Sequence, residues 1–326
     1  MEKVNISLIG IGRMGQFHLN VINQINSINL SGIYDSDEKH LNEISSKYNL
    51  NSFKSLDEAI DKCDAVIIAS PTKFHFDIAK KSIQKGKHVL VEKPMTENFI
   101  QAEELETMVK EKNIIFQVGH VERFNGAVQE LHHIIENPYL IEARRLAPFT
   151  PRITDVGVVF DIMIHDLDIV TSLVKKPLIR FSASGKRIKT NNEDIASALL
   201  EFEGNTIATI SASRVTQEKI RTLSISSEEA HFILDYATQD ITIHRQAASQ
   251  SKIKTSIGIN YTQESIIERV FIHRDNPLKL EDEHFANCIL GKDKKLVSIE
   301  EPELQVNAYF TPKNSLKLFS NSSLYL

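Results

Sequence analysis

The sequence predicts an α/β protein in two parts. Residues 1–121 form a Rossmann-type domain with a doubly wound parallel sheet, and residues 122–326 an α+β domain with an open, mainly antiparallel sheet. Three observations predict this. Apolar strand-like runs alternate with helical patterns from Val4 to Val118, a glycine-rich turn joins the first strand to the first helix, and from about Leu178 short strands succeed one another without helices. Strand–helix repeats of this length imply right-handed crossovers and a parallel sheet, whereas successive strands imply antiparallel pairing.

Composition narrows the class. A chain of 326 residues, 41% hydrophobic and 25% charged, has the make-up of a globular protein of about two domains. Its net charge of −5 leaves no electrostatic footprint for nucleic acid or an anionic membrane. The short basic stretches Lys175-Lys176 and Lys292–Lys295 read as solvated surface. Cys63 and Cys288 are far apart and lack metal spacing, which excludes a disulfide framework and points to the cytoplasm. Ile6–Ile11 is too short and glycine-broken for a signal peptide, and no apolar run reaches the roughly 18 residues of a membrane span.

The first strand, Val4–Ile9, runs into Gly10-Ile11-Gly12-Arg13-Met14-Gly15, a G-x-G-x-x-G turn opening a helix. Gly10 permits the tight turn, Gly12 lets a pyrophosphate approach the backbone, and Gly15 lets helix pack closely on strand. The N–H groups and dipole of the helix start then hold the phosphates. A second strand, Leu30–Tyr34, ends at Asp35. A carboxylate there accepts from both ribose hydroxyls and repels a 2′-phosphate, as does Asp37, so NAD is favoured over NADP.

The alternation continues with strand Ala65–Ala69, stopped by Ser70-Pro71-Thr72, and helix Phe76–Ile83, ended by Gly86. Strand His88–Glu92 stops at Lys93, because Pro94 cannot donate to a sheet and holds the preceding residue extended. Helix Phe99–Lys110 and strand Ile114–Val118 follow. Ligands of open α/β sheets bind beyond the carboxyl ends of the strands. Ser70, Thr72, His75, Glu92 and Lys93 therefore join the glycine turn and Asp35 as candidate cofactor contacts.

In the second part, Leu140–Ala147 reads as a strand carrying Arg144 and Arg145, and Pro148–Arg152 as an irregular loop. The helix expected over Val158–Val174 is apolar except for Asp161, His165 and Asp168, spaced i, i+4, i+7 on one face, with Asp166 about 100° away. The stripe is either the helix's solvent edge or the lining of a polar cleft. In a cleft, a carboxylate one turn from an imidazole suits proton transfer. Nothing completes a metal set around Asp161 and His165, so no metal is expected. Strands are expected at Leu178–Arg187, Ile195–Phe202, Thr206–Ala212, Ile220–Ser226, His231–Asp235 and Ile241–His244, leaving one sheet face open as a candidate subunit interface. Gln246–Gln263, polar and aperiodic, is expected to be a loop or lid, followed by a helix around His284–Ile289 and a capping box at Ser298 and Glu301.

Gly10, Gly12, Gly15, Asp35, Glu92-Lys93-Pro94 and Asp161-x-x-x-His165, in that order, resemble the glucose–fructose oxidoreductase/inositol dehydrogenase (Gfo/Idh/MocA) family. The resemblance implies an NAD-dependent sugar dehydrogenase, a homodimer or homotetramer, with Lys93 and His165 as catalytic pair and Asp161 as supporting carboxylate. It also implies a cis Lys93–Pro94 bond. His120-Val121-Glu122-Arg123-Phe124-Asn125 and Arg152-x-x-Asp155-Val156-Gly157 further resemble the branch that oxidises the 3-hydroxyl of UDP-N-acetylglucosamine. In that branch an aminotransferase then makes a 3-amino sugar for lipid A. The resemblance implies Arg123, Asn125, Arg152, Asp161 and His165 as substrate contacts, and a guanidinium fork matches diphosphate oxygens. Gly126 departs from the branch's usual proline, and Pro312 with Ser320–Ser323 interrupts the apolar C-terminal helix usual in the family. The alternatives are a dehydrogenase of a free polyol and a non-catalytic NAD(H)-binding regulator.

Overall fold

The computed structural model describes residues 2–150, 156–255, 258–297, 299, 324 and 325, with 247–255, 258–264, 324 and 325 described by backbone alone. The chain divides into two compact units, one holding residues up to Phe124 and again from Asp275, the other Asn125–Arg274 and the last residues.

The first unit runs β1 (Val4–Ile9), α1 (Arg13–Ile22), β2 (Ile28–Tyr34), α2 (Glu38–Tyr48), α3 (Leu56–Asp61), β3 (Ala65–Ile68), α4 (His75–Gln84), β4 (His88–Glu92), α5 (Phe99–Lys112) and β5 (Phe116–Gly119). The second runs α6 (Gly126–Ile134), β6 (Leu140–Leu146), α7 (Ile164–Val174), β7 (Leu178–Lys186), β8 (Ile195–Phe202), β9 (Thr206–Ser213), β10 (Ile220–Ser226), β11 (His231–Asp235), β12 (Asp240–Thr255) and β13 (Gly258–Arg269). Helix α8 (Pro277–Ile289) belongs to the first unit, and β14 (Leu324–Tyr325) pairs with β7 in the second.

The five strands of the first unit are parallel, in the order β2-β1-β3-β4-β5. Side-chain alternation feeds a core on each face of the sheet. Ala65, Ile67 and Leu90 pack with Leu19 and Ile22 of α1 and with Phe285 and Ala286 of α8. Val66, Ile68, Val89 and Val91 pack with Ile78 and Ile83 of α4 and Leu105 of α5. Burial on both faces is why these strands read as unbroken apolar runs. Helices α2 and α3, which the strand pattern does not announce, start on the side-chain caps Asp37 and Ser55.

Here the observed division differs from a single boundary after residue 121. Helix α8 completes the first core, and Gln117 Nε2 donates to the Glu281 carbonyl at 3.3 Å. The chain thus returns to the unit it left.

In the second unit nine strands follow the order β13-β12-β11-β10-β6-β9-β8-β7-β14. Only β6 and β9 run parallel; every other pair is antiparallel. Ile141, Leu200, Ile210, Leu223 and Leu234 are buried, whereas Leu199, Ile207 and Ile233 face outward and are exposed. Helix α7 packs against β6 and β9.

Residues 246–255 and 258–263 do not form the expected loop. Beyond His244, β12 continues to Thr255 and pairs with β13 alone, at Arg245↔Ile266 and Gln246↔Ser265 and, after a register shift, from Gln250↔Gln263 to Thr255↔Gly258. A two-stranded ribbon needs no apolar alternation, so its sequence resembles a loop's. The capping box at Ser298 and Glu301 lies outside the described residues.

Candidate active site

The glycine turn sits where the strand order reverses, between the carboxyl ends of β1 and β3, the usual ligand position in open α/β sheets. Gly10 has φ +86°, and a Cβ on it would lie 2.5 Å from the Ser70 nitrogen. A Cβ on Gly15 would lie 2.0 Å from the Gly10 carbonyl oxygen. Gly12 differs, since a Cβ there would meet nothing within 4 Å. Arg13 and Met14 open α1, whose first turn carries no acidic side chain to compete with a phosphate. Asp35 is held as an acceptor, taking the Ile11 N–H on Oδ2 at 2.9 Å and the Asp37 N–H on Oδ1 at 3.0 Å. An open helix start, a backbone bare of side chain and an oriented carboxylate fit a dinucleotide. His40, which sequence reasoning missed, braces the turn through Nε2, 3.1 Å from the Ile11 carbonyl.

The ends of β3 and β4 are tied together. His75 is buried at the start of α4, its Nε2 2.7 Å from the Ser70 carbonyl and its Nδ1 2.9 Å from the Pro94 carbonyl. Burial lowers its pKa below the ordinary imidazole value. With both nitrogens against backbone carbonyls, His75 is an internal brace rather than a surface contact. Ser70 Oγ has no hydrogen-bond partner among the described residues, and Thr72 opens the short 3-10 turn Thr72–Phe74. Glu92 is buried, Lys93 half-buried, and the Lys93–Pro94 bond is cis.

In the second unit the expected Val158–Val174 helix begins as a π-helical turn, Val159–Met163, and continues as α7. Glu193 holds its start: its carbonyl accepts the Val158 N–H at 2.9 Å and its Oε1 the Val159 N–H at 3.4 Å. A Cβ on Gly157 would lie 1.8 Å from Glu193 Oε1, which accounts for the glycine. Asp161 and His165 are half-buried, but Asp168 is 1% exposed. The predicted stripe therefore ends at His165. Asp166 is fully buried and paired with Arg145.

The arginines separate. Arg123 is buried and donates from Nη1 to the Leu296 carbonyl at 3.3 Å within the first unit. Asn125 caps α6, accepting the Ala127 N–H at 3.1 Å and donating to the Tyr236 carbonyl at 3.2 Å. Arg144 points outward and is exposed, while Arg152 lies outside the described residues.

Residues 4–120 match the Gfo/Idh/MocA model described as an oxidoreductase family with an NAD-binding Rossmann fold, and residues 124–233 match the family's C-terminal domain. A UDP-N-acetylglucosamine 3-dehydrogenase from Acidithiobacillus ferrooxidans is 31% identical over 290 residues, spanning 89% of this chain and 90% of that protein. This chain belongs to the Gfo/Idh/MocA family. It is an NAD-dependent oxidoreductase. A solved structure of that Acidithiobacillus enzyme, GnnA, superposes with TM-score 0.87 at 28% identity, covering 98% of this chain and all of that one. A scyllo-inositol 2-dehydrogenase (NAD(+)) from Bacillus subtilis is 23% identical across 97% of this chain and 95% of its own length.

Within this family member, two further residues of the first unit escape sequence reasoning: His18 and Asp282. The only signal for His18 is a histidine on an apolar helix face, which usually means a satisfied core side chain. Its partner Asp282 is too distant in sequence for any local pattern to connect them.

Proposed function

We propose that this Gfo/Idh/MocA member oxidises the 3-hydroxyl of UDP-N-acetylglucosamine to the 3-keto sugar. The observation that carries this is the 31% identity to the Acidithiobacillus UDP-N-acetylglucosamine 3-dehydrogenase over nearly the full length of both proteins. When bound, NAD supplies the hydride acceptor. The chain's own residues position the sugar and manage the proton. His165 takes the proton of the reacting hydroxyl, a task suited to imidazole because its ordinary pKa lies near neutrality. Asp161, one turn earlier, orients that ring. Lys93 donates to the same oxygen and stabilises its developing negative charge. Arg152 is the arginine best left for the diphosphate, since Arg123 and Arg145 are engaged internally and Arg144 faces outward.

A free polyol is the second reading, supported by the 23% identity to the scyllo-inositol dehydrogenase. We also assign a second copy of this chain to the outer sheet face, and an aminotransferase to consumption of the keto product. The test is to incubate purified protein and NAD with UDP-sugars or free polyols, with an aminotransferase and amino donor removing keto product, and to follow NADH. Turnover with UDP-N-acetylglucosamine above all other sugars supports the proposal. Turnover confined to inositols overturns it in favour of the second reading.

A further inference from the structure

Behind the Lys93 turn lies a buried group of charges. His18 on α1 has no exposed surface. Its Nε2 is 3.1 Å from Glu92 Oε1, and its Nδ1 is 2.9 and 3.0 Å from the two oxygens of Asp282 on α8, itself fully buried. The second Glu92 oxygen, Oε2, accepts the backbone N–H of Lys93 at 3.2 Å. A carboxylate can only accept, so both ring nitrogens carry protons and His18 is an imidazolium. Burial alone would lower its pKa, but Asp282 and Glu92 hold it well above the ordinary imidazole value. Burial raises Asp282 above the ordinary carboxylate value, a rise that His18 only partly offsets.

Stability alone does not account for such a group, because apolar side chains of similar volume often stabilise as well or better than a buried ion pair. The other buried residues of β4 follow the apolar rule: Val89, Leu90 and Val91 sit among aliphatic side chains. The exception is the residue that directly precedes the lysine. Three elements accommodate it. Helix α1 supplies His18, α8 supplies the counter-charge Asp282, and β5 ends in Gly119, where a Cβ would crowd Glu92 at 3.1 Å from its Cα and Cδ. The far side of the same turn is braced separately by His75 on the Pro94 carbonyl.

We propose that His18 is a positioning residue for Lys93, clamped by Asp282 so that it fixes Glu92 as the acceptor of the Lys93 backbone N–H. This role presupposes that Lys93 acts at the substrate oxygen, as assigned above. Small errors in the placement of a reacting group cost orders of magnitude in rate, which is the quantity such a clamp protects.

The test compares the wild-type holoenzyme with His18→Gln, Lys93→Met and the double variant, using the substrate chosen by the screen above. His18→Gln is expected to melt cooperatively, bind NAD within about threefold of wild type and keep its KM, while kcat falls 10- to 100-fold. In the Lys93→Met background it should cost less than a further twofold, because residues acting through one group are not additive. Hydrogen exchange should rise in the fragment holding the Glu92 and Lys93 amides and stay unchanged in β1. A loss of equal size in both backgrounds means a merely structural role and overturns the proposal. So does a wild-type kcat in His18→Gln beside an inactive Lys93→Met. If Lys93→Met itself turns over normally, the assignment of Lys93 fails first and the clamp has nothing to position. Asp282→Asn, which leaves His18 bound to Glu92, makes the same comparison should His18→Gln fail to fold.

Discussion

Arg145 and Asp166 form a two-pronged buried salt bridge: Nε donates to one carboxylate oxygen at 2.9 Å and Nη2 to the other at 3.0 Å. The guanidinium lies 4.5 Å from the centre of the Tyr236 ring. Its neighbour Arg144 emerges on the opposite side of β6, as successive strand residues must. The two arginines therefore have different fates. Arg145→Ala strands a buried carboxylate and should cost about 3–5 kcal/mol in unfolding free energy, whereas Arg144→Ala should stay within about 0.5 kcal/mol. Urea unfolding of both checks this. An Arg145→Ala protein of normal stability but raised sugar KM would return Arg145 to the substrate site.

Asp194 sets an acid limit to stability. Burial would raise its pKa, but the N–H groups of Lys189, Ile188 and Thr190 and the Arg214 guanidinium together hold it far below the usual carboxylate range. A depressed folded-state pKa contributes stability that is present in full above the unfolded value of about 3.9 and is lost as pH falls toward the folded one. Asp194→Asn should lower stability at pH 7 and flatten the loss of stability below about pH 4. Parallel slopes in wild type and variant, by denaturant titration from pH 2 to 7, would remove Asp194 from this role.

The outer sheet face carries Leu199, Ile207 and Ile233 among hydroxyl side chains on strands β8 to β11. A self-complementary dimer contact is its expected occupant. Ile233→Asp should shift the protein toward smaller species in light scattering at micromolar concentration while leaving the monomer folded. A wild-type monomer under the same conditions rules the contact out.

The sequence carried the parallel sheet plainly, because strands buried on both faces strongly favour apolar residues: Val66 to Ile68 and Val89 to Val91 are all fully buried. It carried the glycine turn because Gly10 and Gly15 each meet a steric limit in the folded chain, while the space before Gly12 is what a pyrophosphate requires. Helical periodicity grouped Asp161, His165 and Asp168, but a period reports one helix's faces and not its neighbours. The packed side claimed Asp168, and Arg145 on a distant strand claimed Asp166. The return of α8 was illegible because the contacts that fix it, His18 to Asp282 and Phe285 in the first core, are long-range. The ribbon of β12 and β13 was illegible because nothing along it demands alternation.

Gly12 and Gly15 should fail in different ways, although both belong to one motif. A Cβ on Gly15 would sit 2.0 Å from a backbone oxygen, that of Gly10, and 3.0 Å from its carbon, where no flexible side chain can give way. Gly15→Ala should therefore destabilise the protein without NAD, by about 1–3 kcal/mol as overpacking typically does. Gly12 has φ −60°, outside the left-handed region that favours glycine, and open space before its Cβ position. Gly12→Ala should melt like wild type without NAD, yet its methyl enters the space the pyrophosphate needs. Saturating NAD at about 100 times its Kd stabilises wild type by about 2.7 kcal/mol through mass action. That increment should largely vanish in Gly12→Ala, and thermal melts with and without NAD read both halves of the contrast. If Gly12→Ala kept the full NAD-induced shift, the pyrophosphate would have to lie elsewhere than against this turn.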